Sequence, residues 1–109
     1  MKQFVAEWSA LQEKKKMRIL WNQKPILLFS YDGAPYAISD KCPHMGASLF
    51  PGKYENGIIQ CKDHALEISV VTGEVTDHQK ADFLKLAAYD RSVRIYKVSL
   101  ENGKVYLEV

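Results

Sequence analysis

Cysteine, histidine and proline are all scarce in this chain: two, three and four residues among 109, with no proline beyond Pro51. Two cysteines are too few for the dense disulfide framework that stabilises small secreted domains. Long apolar runs are missing as well. The longest, Ile26 to Phe29, is far short of the ~20 residues a membrane-spanning helix needs. Lys2 and Glu7 interrupt any apolar stretch at the N-terminus, which disfavours a signal segment and leads us to expect a soluble, cytoplasmic protein. Charge of one sign is also lacking: a net +2 is too mild for the concentrated basic face of a nucleic-acid binder. The run Lys14-Lys15-Lys16 reads as a solvated turn. Length leaves room for one domain, in a size range where a bound metal group adds materially to stability.

Against this background the placement of the rare residues stands out. Cys42-Pro43-His44 and Cys61-Lys62-Asp63-His64 use both cysteines and two of the three histidines, one of each in each of two short segments. Thiolate and imidazole are the ligands that iron, zinc and copper select. Three readings fit the four side chains. A single zinc ion accepts two sulfurs and two nitrogens in a tetrahedron, although common zinc spacings pair Cys with Cys and His with His. A disulfide between Cys42 and Cys61 is disfavoured because nothing marks the chain as secreted. The third is a two-iron cluster with both thiolates on one iron and both imidazoles on the other. Gly46, Gly52 and Gly73 around these segments suit backbone that approaches a cluster closely or takes positive φ.

The surrounding residues extend the third reading. Cys42-Pro43-His44-Met45-Gly46-Ala47-Ser48-Leu49-Phe50-Pro51-Gly52 resembles the first ligand loop of Rieske proteins. Cys61-Lys62-Asp63-His64-Ala65-Leu66-Glu67-Ile68-Ser69-Val70-Val71-Thr72-Gly73 resembles the second, with the apolar strand and Thr-Gly turn that follow it. Residues 34–41 are similar to the family's lead-in strand and residues 100–109 to its closing hairpin. The resemblance implies an all-β fold of stacked antiparallel sheets, with the two loops, at about residues 40–73, forming a cluster-binding subdomain. It also implies one [2Fe–2S] cluster held by Cys42, His44, Cys61 and His64, the two cysteines on the buried iron and the two histidines on the iron through which electrons enter and leave.

Periodicity and turn chemistry point to the same class. Strands are predicted over residues 4–8, 18–21, 26–31, 36–38, 58–60, 66–71, 93–100 and 105–109. They are separated by Asp32-Gly33, Asn56-Gly57, Thr72-Gly73 and Asn102-Gly103. Thr76-Asp77-His78-Gln79 has the form of a capping box and could open a helix through residues 81–89, where the resemblance instead implies a loop and then a strand. No proline is available there for the Pro-containing loop that usually covers the cluster, so residues 77–83 must cover it differently or leave it open. His78 is expected to be a surface or hydrogen-bonding residue.

A neutral oxidised site with two thiolates and two imidazoles accepts an electron more easily than a dianionic four-thiolate site, hence Rieske potentials of roughly −150 to +300 mV against roughly −400 mV for plant-type clusters. The resemblance places this chain at the low end. Respiratory members carry an additional cysteine in each loop, where Ala47 for example offers no sulfur, and hydrogen-bond the cluster with Ser and Tyr where this chain has Leu66 and Ile68. Two departures from the family pattern are Lys62-Asp63, in place of a largely apolar pair, and Ala65, where Gly is usual. Oxygenase chemistry needs a mononuclear iron on two histidines and a carboxylate. With His44 and His64 used, only His78 is left, so the chain is expected to be an electron-transfer protein and not an enzyme. The implied partners are a flavin reductase as donor and a terminal oxygenase or similar acceptor, with no nucleic acid and no membrane. A small accessory subunit like that of assimilatory nitrite reductase, or a structural zinc module, are the alternatives.

Overall fold

The structure is a computed structural model that describes residues 1–43, 46–63, 65–87 and 91–108. His44 and His64 lie outside the described residues, as do Tyr89, at the end of the possible helix, and Val109. Among the described residues the chain forms ten strands and two short helices: β1 (Lys2–Glu7), α1 (Trp8–Lys14), β2 (Lys16–Trp21), β3 (Lys24–Tyr31), β4 (Ala34–Ser39), β5 (Lys53–Glu55), β6 (Ile58–Gln60), β7 (Glu67–Ser69), α2 (His78–Phe83), β8 (Ile95–Tyr96), β9 (Val98–Glu101) and β10 (Lys104–Glu108). They make three antiparallel sheets, ordered β1-β10-β9, β2-β3-β4-β8 and β5-β6-β7. The expected all-β class of packed antiparallel sheets holds. No helix among the described residues is long and apolar enough to cross a membrane.

The central sheet separates two cores, and β3 shows why. Ile26, Leu27, Leu28 and Phe29 are all fully buried in sequence. Side chains alternate across a strand, so a continuous apolar run has to be covered on both faces. Ile26 and Leu28 face one core with Ala37, Leu11, Val105 and Leu107, closed by the sheet that holds both termini. Leu27 and Phe29 face the other with Ile38, Ile59, Leu66, Ile68 and both cysteines. Tyr54 of β5 fastens this second layer to β3: its ring lies 4.7 Å from that of Phe29 and its hydroxyl donates to the Ser30 carbonyl at 2.9 Å. Burial, with the nearby Tyr31 and Tyr36, pushes the Tyr54 phenol up to about 12, so it stays a donor.

Several predicted boundaries shift for identifiable reasons. The first strand ends at Glu7, and Trp8 opens a helix whose Leu11 is wholly buried. Seven residues are too few to display a helical period, yet Ala10, Leu11, Gln12, Glu13 and Lys14 all favour helix. The segment at 93–100 is two strands in different sheets, with the switch at Lys97: β8 pairs with β4 and β9 with β10. Lys53–Glu55, unassigned from sequence, is a short strand paired with β6. One short helix, His78–Phe83, follows Thr76, which corrects the loop implied by the resemblance, but it ends at Phe83 and does not continue through the expected residues 81–89. The cap is Asp77, whose side chain accepts from the Lys80 amide at 3.0 Å.

Lys16 does not belong to a solvated turn. It is half-buried on β2, and its ammonium donates to the Gly52 carbonyl at 2.6 Å and to the Phe50 carbonyl, above the Phe50 ring. Desolvation lowers its pKa.

Candidate metal centre

The second ligand segment is the tip of a hairpin. Gln60 of β6 pairs with Glu67 of β7, so residues 61–66 close between two residues already in register. Within that tip the Cys61 amide donates to the Leu66 carbonyl at 2.9 Å, and the Ala65 amide donates back to the Cys61 carbonyl at 2.8 Å. The first segment repeats the same circuit. The Cys42 amide donates to the Ala47 carbonyl, and the Gly46 amide to the Cys42 carbonyl, both at 2.7 Å. Gly46 and Ala65 occupy matching positions and both have positive φ, 73° and 58°. Such a backbone comes without strain for glycine and costs an L-residue roughly 1–2 kcal/mol. The alanine that departs from the family pattern is therefore held in a glycine conformation.

The two circuits bring the cysteines into one core. Cys42 and Cys61 are 1% and 2% exposed, in the same apolar cluster as Leu49, Leu66 and Ile68. Ala81 and Leu86 cover that cluster from α2 and the turn after it. Residues 77–83 thus cover the core without proline, using a capped helix. Arg91 ties the helix down, donating to Asp82 at 2.5 Å and to the Leu86 carbonyl at 3.0 Å. Its guanidinium also lies 3.4 Å from Nδ1 of His78. Since Arg can only donate, that nitrogen accepts, and exposed His78 has the hydrogen-bonding place expected of it.

A brace that the sequence did not reveal holds the first segment. Asp40 is the one buried charged residue among the described residues, 4% exposed. Its carboxylate accepts from the Leu49 amide at 2.6 Å, the Phe50 amide at 3.2 Å, the Ser48 hydroxyl at 2.7 Å and Arg18 Nε at 2.7 Å. Hydrogen bonds to a charged group contribute about 1.5–3 kcal/mol each. Arg18 and Lys16, both on β2, reach the loop from outside it. Gly52 ends the loop under a strict constraint: a Cβ there would fall 1.8 Å from the Gln60 carbonyl oxygen. Gly52 and Gln60 are therefore where the two ligand segments abut.

These residues suit an iron–sulfur group. Two buried sulfurs share an apolar core, the neighbouring carboxylate of Asp40 is fully engaged by four donors, and Leu66 and Ile68 present hydrocarbon where other side chains would donate hydrogen bonds. Cys42 and Cys61 belong to one apolar core. The placement of His44 and His64 lies outside the described residues.

Comparison with known proteins gives the family. The model of the Rieske [2Fe–2S] domain matches residues 1–97. The 3-phenylpropionate/cinnamic acid dioxygenase ferredoxin subunit of Photorhabdus laumondii is 33% identical over 85 residues, covering 77% of this chain and 72% of that protein. Human apoptosis-inducing factor 3 is 27% identical over 95 residues, covering 87% of this chain, which spans only 14% of its length. Among solved structures, the ferredoxin of carbazole 1,9a-dioxygenase from Nocardioides aromaticivorans has the same fold, with a TM-score of 0.80 at 21% identity over 98% of this chain and 96% of that one. The chain belongs to the Rieske [2Fe–2S] domain family.

Proposed function

We propose that this chain is a ferredoxin, a one-electron carrier and not itself an enzyme, in which Cys42 and Cys61 bind one iron of a [2Fe–2S] cluster and His44 and His64 the other. The observation that carries this reading is the pair of matching hydrogen-bonded circuits that bury both cysteines in one apolar core. When bound, the cluster supplies a single one-electron couple. The chain's own residues do the rest. Burial keeps water and oxidants from the two sulfurs, Asp40 and Lys16 fix the first loop, and the hairpin register fixes the second. Leu66 and Ile68, fully buried beside the cysteines, offer no side-chain donors, which favours a low potential.

The acceptor is a terminal oxygenase, a reading supported by the likeness to a dioxygenase ferredoxin subunit. A flavin reductase is the donor. The whole chain acts as one Rieske domain in the cytoplasm. Iron, acid-labile sulfide and zinc in anaerobically purified protein, with an electron paramagnetic resonance spectrum after dithionite reduction, test the assignment. Two irons and two sulfides per chain with the low-average-g signal of a His-ligated cluster are expected, and the signal is lost in His44→Ala and in His64→Ala. Stoichiometric zinc without that signal, in cells supplied with ample iron and sulfur, would overturn it.

A further inference from the structure

Beside Cys42 lies an open cleft of about 340 Å³, bounded by the first ligand segment on one side and residues 92–94 on the other. Its charged lining residues are Lys41 and Arg94, and the hydroxyl-bearing Ser39 and Ser92 complete the polar rim. Among the described residues no carboxylate lines it. The chain has three arginines, and two of them are spoken for: Arg18 holds Asp40 and Arg91 holds Asp82. Arg94 has no carboxylate among the described residues. Its guanidinium lies over the Tyr96 ring at 4.6 Å, and its carbonyl accepts from the Ser39 amide at 2.8 Å. Arg94 is exposed, and a guanidinium held on an aromatic face keeps the planar fork that receives a carboxylate through two parallel hydrogen bonds. Lys41 likewise has no acidic partner among the described residues, and its aliphatic stem passes close to Gly46, 3.4 Å from where a Cβ would stand.

We infer that this cleft receives a carboxylate from an acidic segment of the redox partner, with Arg94 as the bidentate anchor and Lys41 as the second charge. The inference rests on the carrier reading and adds to it a docking polarity: cationic on this chain, acidic on the partner. Seated there, the partner would lie against the wall that contains Cys42. Free dicarboxylates share the ligand chemistry, and titration with each separates the two sources.

The test is calorimetric titration of the purified holoprotein with a capped hexaglutamate peptide and, separately, with glutarate, at ionic strength matched with sodium chloride. Wild type is compared with Arg94→Gln, Arg94→Lys, Lys41→Gln and, as a remote control, Lys24→Gln. Peptide affinity should fall about tenfold in Arg94→Gln and nearly as far in Arg94→Lys, about threefold in Lys41→Gln, and not at all in Lys24→Gln. Equal losses in Arg94→Gln, Lys41→Gln and Lys24→Gln with none in Arg94→Lys would reduce the effect to overall charge and overturn the proposal, as would an absence of peptide binding to wild type. Glutarate binding as tightly as the peptide would replace a docking site with a small-molecule site. Metal analysis of the same samples keeps the two readings apart, since a missing cluster would count against the carrier while the titration still reports on the cleft.

Discussion

The loops that carry Cys42 and Cys61 share one backbone circuit but are held in different ways. The Cys61 loop is the end of a two-stranded hairpin, and the pairing of Gln60 with Glu67 places it. The Cys42 loop leaves β4 with no such partner, and side chains from elsewhere hold it: Asp40 beneath it, with Arg18 and Lys16 from β2. A hairpin tip inherits its geometry from strand register. A long loop has to be fixed by contacts that offset its ordering entropy. The contrast predicts that substitutions of the bracing side chains Asp40, Arg18 and Lys16 weaken the first loop and spare the second.

The largest effect is expected where the loops abut. Gly52→Ala forces a Cβ into the Gln60 carbonyl and should cost on the order of 4 kcal/mol or more, read as loss of soluble, iron-loaded protein on expression. Asp40→Ala comes next, at about 3–5 kcal/mol, because it leaves amides, a hydroxyl and Arg18 without their acceptor. Urea titration measures that cost. Hydrogen exchange localises it: the Leu49 and Phe50 amides should exchange faster while the Ala65 amide is unchanged. Equal acceleration in both loops would remove the distinction. Lys16→Met should cost about 1–2 kcal/mol through the lost bonds to the Phe50 and Gly52 carbonyls.

The matching positions give opposite signs. Ala65→Gly relieves a positive φ and should stabilise by about 0.5–1 kcal/mol, whereas Gly46→Ala should destabilise by a similar amount, both read from denaturation midpoints. The smallest effect is electrostatic. Asp63 is exposed next to His64, so Asp63→Asn should raise the midpoint potential slightly, and the difference should shrink as salt is added. An unchanged midpoint at low salt would remove Asp63 from the account.

What could be read from the sequence follows from how local each signal is. Thiols and imidazoles are rare enough that their spacing was informative, and the Asp-Gly and Asn-Gly turns marked hairpins directly. The Asn22-Gln23 turn was passed over, since neither residue is glycine although both have positive φ. Asp40 was hidden because its partners lie eight to twenty-two positions away and two are backbone amides, which no side-chain pattern announces. Lys16 was hidden by its neighbours: within a run of three lysines nothing distinguished the one that turns inward. Helix α2 shows a local cue outweighing a family pattern, since residues 76–79 marked a helix start where the resemblance pointed to a loop, although the cap is Asp77 and not the Thr76 of the expected capping box.

Protein-film voltammetry of the holoprotein tests the central claim most directly, that this is a low-potential one-electron carrier whose cysteines sit among apolar side chains. The account predicts a reversible one-electron wave near the lower end of the Rieske range, roughly −150 mV. A wave toward roughly +300 mV would contradict the role assigned to Leu66 and Ile68. The absence of any wave in protein shown to be folded would contradict electron transfer itself.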